Sequence, residues 1–479
     1  MTTTDRTTGG VPASDTGVAT LDDLIAEQER RFLARTARSA EIGARGATVM
    51  PGGVTSSWAS SKPLPVWVSH GEGGLVWDVD GTEYVDFHGG YGVNVVGHAH
   101  PAVVAQVQQR VTRGTHFAQP TEDAIVVAEA LAARFDLPMW RFTNSGTEST
   151  MDAIHLMRAI TGRPLVVKVE GTYHGHHDAV MVSAFRSSDQ LGPADDPHRV
   201  AGPGVPQMMA DLVRLVPFND LVALERVLAA HEGQVAGMIL EPMMMNAGII
   251  PPAPGYLEGV RDLVHRHGAL LAFDEVKTGM VVDWGGATRR FGVRPDIVCL
   301  AKALGGGIPC GAIGGTHEVM SAITEGRYDQ IGTFNGNPLT MAAARAVLTE
   351  VLVPEVYDVA EQRGRRMLDA ARASLAAHGH PSYGNVFGFK GSVVFHDTPA
   401  TDYRSFLEIS TALSHCHFLV QHNGGVFLPP WGKSESWTMS VAHTDAHGER
   451  YVANVAELGR LVAPLVDRSS QLYAVGSYS

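Results

Sequence analysis

A lysine just after one apolar run and an aspartate at the end of another are the residues of this 479-residue chain that most directly suggest chemistry. Lys302 follows DIVCL and precedes Gly305-Gly306-Gly307. Desolvation at such a place would lower the pKa of its amine and expose a nucleophile. A lysine that snorkels to solvent fits the same position. Asp274 closes the run ALLAF, and a carboxylate at the wall of a core needs a partner. That partner is either a salt-bridging cation or a cationic ring nitrogen. At about 4 Å and an effective dielectric of 20, the pair would contribute about 4 kcal/mol. That is enough to keep a pyridine nitrogen protonated and make its ring an electron sink.

Asn144-Ser145-Gly146-Thr147-Glu148 joins a strand end to a helix start. Ser145 or Thr147 can cap the helix, and the free N–H groups there suit an anion. An ordinary capped helix has the same pattern. Tyr173-His174-Gly175-His176-His177-Asp178 follows another strand. Its histidines lack the accompanying ligands of a zinc pattern, so a flat Tyr173 stacked on a planar ring is the expectation, and no metal. Ser414-His415-Cys416-His417 is read as alternation within a short apolar strand. The triple glycine has the wrong spacing for a Rossmann fingerprint.

Elements must bring these residues together. Residues 1–20 read as a mobile tail, and Leu21 to Ile42 as a helix. GLVWDVDGTEYVDF, Gly74 to Phe87, alternates around Asp80-Gly81 as a hairpin. From Pro101 onward, helical stretches alternate with the runs MWRFTN, PLVVKVE, VAGMILEP, ALLAFDE and DIVCLAKAL. That rhythm implies an α/β fold, with a mostly parallel sheet covered by helices on both faces. Ligands of such sheets sit at the carboxyl ends of the strands, where Asn144–Thr147, Glu241, Asp274 and Lys302 all fall. Beyond Asn337 one long helical stretch is expected, then an α+β region with VFGFKGSVVFH and GGVFLPP as strands. The boundaries read as 21–85 for an N-terminal segment of a small domain, 86–340 for a large domain and 341–479 for the rest of the small one.

Hydrophobic residues at 44% and charged residues at 18% fit a compact chain. A net charge of −13 argues against nucleic-acid binding. Cys299, Cys310 and Cys416 form no disulfide framework, and no apolar run suits a signal peptide or a membrane span. A cytoplasmic protein is expected.

In order along the chain stand PGGV at Pro51, GHAHP at Gly97, NSGTE at Asn144, AITGR at Ala159 and EGTYHGHHD at Glu170. EPMMMNAGIIPP at Glu241, FDEVKTG at Phe273, LAKALGGGIPCGAIGG at Leu300, GTFNGNPL at Gly332 and AHTD at Ala442 follow. With these motifs the chain, over about residues 45–460, resembles the class III, fold type I pyridoxal-phosphate aminotransferases. The likeness is nearest to their glutamate-1-semialdehyde 2,1-aminomutase branch. It implies pyridoxal 5'-phosphate as cofactor and a ping-pong transfer between an amine or amino acid and a keto acid, aldehyde or ketone. An intramolecular aminomutase or an epimerase is the alternative. By the same likeness Lys302 forms the Schiff base and shuttles the proton, and Asp274 pairs with the pyridinium. Val276 and Tyr173, next to His174, flank the ring, and Glu241 and Asn246 lie near it. Ser145, Gly146 and Thr147 hold the phosphate, completed by Thr333 from the second subunit of a homodimer.

The chain departs from that pattern where the aminomutase branch binds the substrate carboxylate. The arginine expected after PGGV is Ala59, a second is Val281, and PPWGKSESWTMS carries none. A carboxylate is ordinarily met by a bidentate arginine. The departures therefore favour an amine or amino acid held by other contacts. Trp58, Tyr91, Lys433, Glu435 and Trp437 are expected in the altered pocket, with core or dimer packing as the other reading of the tryptophans.

Overall fold

The computed structural model describes residues 20–468 apart from 431, 432, 434 and 435. Residues 1–19 of the expected tail over 1–20, and Glu435, therefore lie outside the described residues, while Thr20 caps the first helix. Three strands come first: β1 (Val68–Glu72), β2 (Leu75–Asp78) and β3 (Glu83–Asp86). Seven more follow: β4 (Met139–Thr143), β5 (Leu165–Val169), β6 (Val213–Val216), β7 (Val235–Leu240), β8 (Leu270–Asp274), β9 (Ile297–Leu300) and β10 (Gly311–Gly315). The last are β11 (Val386–Phe387), β12 (Lys390–Gly391), β13 (Val426–Phe427) and β14 (Trp437–Thr438).

The large sheet runs β4-β10-β9-β8-β7-β5-β6. All its neighbours pair in parallel except β10, which is antiparallel to both β4 and β9. The sheet is mostly parallel because its strands are buried on both faces and read as continuous apolar runs. Alternation sorts their side chains. Val166, Ile239 and Ala272 pack on one face with Ile154 and Met157. Val167, Met238, Leu240, Leu271 and Phe273 pack on the other with Val260 and Val264. The helix Gly146–Thr161 lies against β7, β9 and β10, and Tyr256–Arg266 against β8.

A second sheet, β1-β2-β3-β13, contains the expected hairpin. Its turn is closed by the Val79–Thr82 segment, where Gly81 sits at φ +87° in a region open to glycine. The third sheet, β11-β12-β14, is made of two-residue strands, shorter than VFGFKGSVVFH suggested. Helices pack in pairs nearby: Leu21–Arg35 on Thr411–Asn423, and Pro354–Ala376 on Asp445–Val462.

Three expected elements differ. The first helix breaks at Thr36, whose hydroxyl donates to the Phe32 carbonyl, and a second helix runs Ala37–Gly46. The stretch after Asn337 is three pieces: Pro338–Ala346, a wide turn at Val347–Val351, and Pro354–Ala376. Proline at the first helical position starts the last of them. Ser414-His415-Cys416-His417 lies in the helix Thr411–Asn423, not in a strand.

Burial makes the core around Phe32 and Tyr84 acid-sensitive. His422 is buried between Phe32 and Tyr84, at ring distances of 4.7 and 4.5 Å. Desolvation, helped by Arg35, pushes its pKa down to about 3. Burial likewise pushes His443 down to about 3. A depressed histidine leaves stability intact above the unfolded value near 6.5 and erodes it as pH falls from there toward 3. The slope is about 1.4 kcal/mol per pH unit for each such group. The urea midpoint is expected to fall clearly between pH 7 and pH 5, and His422→Phe to flatten that fall. An equal slope in the variant would show that His422 is not a source.

Candidate functional site

The carboxyl ends of the large sheet open into a cavity of about 440 Å³. Its walls come from the turns after five strands. After β4, Ser145 caps the helix Gly146–Thr161, its Oγ accepting from the Glu148 N–H at 3.2 Å. Gly146 is needed because a Cβ there would come within 2.9 Å of Val276. The Thr147 hydroxyl oxygen accepts from the His176 N–H at 3.1 Å, tying the phosphate-sized turn to the segment after β5. A helix N-terminus with this cap is a place for an anion.

That segment carries Tyr173 and His174. It starts at Gly171, φ +76°, where a Cβ would strike the Tyr403 ring at 2.1 Å. The ammonium of Lys168, buried in β5, donates to the carbonyls of Thr172, Val180 and Val182 at 2.9–3.0 Å and holds the loop from below. Desolvation pulls the Lys168 pKa down to about 7. Tyr173 meets Trp58 edge-on at 5.7 Å and stacks on Phe185 at 5.4 Å. Burial raises the pKa of its phenol.

After β7, the Glu241 carboxylate accepts from the Tyr173 N–H, the Met245 N–H and the Asn246 amide at 3.3, 2.8 and 3.0 Å. After β8, Asp274 is 5% exposed. Its Oδ1 accepts from the Val276 N–H at 3.0 Å, and its Oδ2 lies 2.8 Å from His174 Nδ1. The other ring nitrogen of His174 is buried without a hydrogen-bond partner. After β9, Lys302 begins a short 3-10 turn at φ +48°, a left-handed position unusual for a lysine.

Lys302, Asp274, Val276, Glu241, Asn246, Tyr173, His174, Ser145, Gly146 and Thr147 thus line one cavity, with Trp58 and Tyr91 on its far wall. The Tyr91 hydroxyl donates to the Trp58 carbonyl at 2.6 Å. Thr333 is exposed and does not line this chain's own cavity. Two expected wall residues are elsewhere. Trp437 is 2% exposed in β14, packed on Tyr451 at 5.4 Å, because its place is a hydrophobic core it shares with Phe389 and Tyr451. Lys433 donates to the carbonyls of Leu407 and Ile409 and lies over Phe406, away from the cavity. Asn144, at the strand end singled out from the sequence, lines it too, as do residues that sequence reasoning passed over: Met245, Lys277 and Ile308–Cys310. Lys277 stands inside FDEVKTG, where no role was assigned to it.

A planar, phosphorylated pyridine would fit these walls. The capped helix end suits the phosphate, Val276 and Tyr173 offer flat flanks, and Asp274 is held rigid for a ring cation. The buried, unpartnered nitrogen of His174 is the observation that calls for a ligand or ordered group in the cavity.

The family described as aminotransferase class-III matches residues 57–409. Glutamate-1-semialdehyde 2,1-aminomutase 2 of Exiguobacterium sibiricum is 38% identical over 416 residues, 86% of this chain and 94% of its own. An omega-transaminase from Sphaerobacter thermophilus superposes with a TM-score of 0.84 at 33% identity, over 88% of this chain and 97% of that one. A glutamate-1-semialdehyde aminomutase variant from Pseudomonas aeruginosa PAO1, in complex with PMP, gives 0.83 at 29%, over 91% and 97%.

Proposed function

We propose, because the chain belongs to the class-III aminotransferase family, that it moves an amino group from a small amine or amino acid to a keto acid, aldehyde or ketone. It is an enzyme of that family and its cofactor is pyridoxal 5'-phosphate. The observation that carries the reading is that Lys302 and Asp274 close one cavity from the ends of adjacent strands, β9 and β8.

The bound cofactor supplies a carbonyl that condenses with amines and a ring that accepts electron density from the substrate carbon. Lys302 anchors that carbonyl, and its amine holds and moves the proton at the substrate carbon. Asp274, aimed by His174 and the Val276 N–H, holds the ring nitrogen in its charged state. Ser145, Gly146 and Thr147 take the phosphate on a helix N-terminus, and the partner's Thr333 completes the cup in a homodimer. Val276 and Tyr173 keep the ring flat and water out. Glu241 and Asn246 serve the ring hydroxyl.

Intermolecular transfer is favoured by the absence of any arginine among the described residues that line the cavity. The names of the sequence relatives support the intramolecular aminomutase better than this main reading. The two differ in one experiment. Purified holoenzyme should show a near-visible band that borohydride fixes. An amine donor should bleach the band and a keto acid restore it. Turnover of glutamate-1-semialdehyde alone, with no acceptor, would make the intramolecular reading correct. A colourless protein that takes up no pyridoxal phosphate would refute both.

A further inference from the structure

We propose that Lys168 is a positioning residue of the reaction: by gripping the peptide between Thr172 and Tyr173 from beneath, it sets the segment on which Tyr173 and His174 face the cofactor. The inference rests on the roles given above to Tyr173 and Asp274 and extends them to a side chain outside the cavity. Lys168 stands in β5, a strand buried at all five positions and paired with β6 and β7. It is 1% exposed. A cation in such a strand is costly unless its charge is met. Here the ammonium donates to three carbonyls, those of Thr172, Val180 and Val182, at 3.0, 3.0 and 2.9 Å. The ammonium has a proton for each of them, and a neutral amine would leave one unmet.

Residues 170–187, which supply these carbonyls, form no helix or strand, so side chains must hold them in place. The Thr172 carbonyl and the Tyr173 N–H are the two polar ends of one planar peptide and point in opposite directions. Lys168 donates to the carbonyl, and the Glu241 carboxylate accepts from the N–H at 3.3 Å. The plane is therefore fixed from both sides, and with it the direction in which the Tyr173 ring leaves the chain. Burial opposes the charge on Lys168 and Arg186 adds to that, whereas Glu241, across the plane, favours it. From this plane the chain runs straight into the site. The His174 carbonyl accepts from the Thr150 hydroxyl, and the His176 N–H donates to Thr147 on the phosphate helix. His174 Nδ1 meets Asp274 Oδ2 at 2.8 Å. Without the ammonium, three carbonyls beneath the segment would lose their donor, and the segment would shift to satisfy them. That shift would tilt Tyr173 and draw His174 away from Asp274.

The test compares the wild type with Lys168→Met, which keeps the length of the side chain and removes its donors. Val166→Ala is the control, since it removes packing on Ile154 and Met157 from the same strand and leaves the segment alone. In the chain without cofactor, amide exchange over residues 171–182 should quicken about tenfold in Lys168→Met beyond any change in Val166→Ala. In the loaded enzyme, the circular dichroism of the bound cofactor reports the setting of its ring and should change in Lys168→Met alone. Its kcat should fall about tenfold to a hundredfold, as a small displacement near the reacting atoms allows. KM for the donor should stay within about twofold. Lys168→Gln, whose amide keeps two of the donors, should fall between, and it decides the matter if Lys168→Met does not fold. Exchange no faster than in Val166→Ala, or an unaltered dichroic band with unaltered kcat, overturns the proposal. Should the wild type take up no pyridoxal phosphate or transfer no amino group, the functional reading fails, and the exchange comparison still decides whether Lys168 holds the segment.

Discussion

Lys302→Ala should be loaded with pyridoxal phosphate but catalytically dead, with turnover down by at least the ~10²–10⁴-fold that a positioned general acid–base contributes. The loss should exceed that range, because the same amine also anchors the cofactor. Lys302 begins the turn after β9 at φ +48°, and alanine keeps a Cβ in that left-handed geometry. The fold is therefore not expected to change, and the melting temperature should stay within a few degrees. The diagnostic result is spectroscopic. The variant should bind the cofactor without an adduct that borohydride can fix, and a small primary amine supplied in the buffer should restore a measurable part of the proton transfer. Wild-type turnover in Lys302→Ala would remove the base from the mechanism. Inactivity caused by unfolding would show in the melting curve.

The site was legible to the extent that its residues follow strands with clear apolar runs. β4, β5, β7, β8 and β9 are such runs, and each delivers its polar residue to the cavity. β10 was not legible. GAIGG has almost no side chain to signal a strand, because β10 must pass close to its neighbours. A Cβ at Gly311 would meet Thr143 at 2.3 Å, and one at Gly314 the Trp140 ring at 2.5 Å. β6 is only four residues long and was passed over for the same want of signal. The histidine-rich segment 414–417 misled because alternation of polar and apolar types over four residues cannot separate a strand from a helix. In the helix, the buried faces are set by Leu413, Cys416, Leu419 and Val420.

The far wall was half legible. Trp58 and Tyr91 line the cavity, yet Trp437, of the same residue type as Trp58, is buried in a core. An indole signals burial and does not say against what. Tertiary pairing decides it: β14 is bonded to β12, and the ring lies against Gly391, where a Cβ would come within 2.3 Å. Lys277 escaped for the opposite reason. A lysine within a polar turn reads as solvated, and only the cavity built around it by the β5 and β9 turns shows it to be enclosed.

Asp274→Asn isolates charge from shape and should cost about three orders of magnitude in turnover. Asparagine fills the same volume, and its carbonyl oxygen can keep the Val276 N–H bond of 3.0 Å. What disappears is the negative charge, 5% exposed and 2.8 Å from His174 Nδ1. An ion pair at about 4 Å and an effective dielectric of 20 is worth about 4 kcal/mol, and each 1.36 kcal/mol is tenfold in rate. The ring nitrogen would then lose its proton at neutral pH and the ring its capacity as an electron sink. Cofactor binding should weaken less than turnover, because the phosphate site at Ser145–Thr147 is untouched. Two measurements separate this from simple damage: the affinity for pyridoxal phosphate by absorbance titration, and kcat with the best donor found for the wild type. A variant that keeps its cofactor and loses kcat identifies Asp274 as an electrostatic partner of the reaction. Should kcat and affinity both stay at the wild-type level, the buried carboxylate is only the partner of His174, and some other group must keep the ring charged.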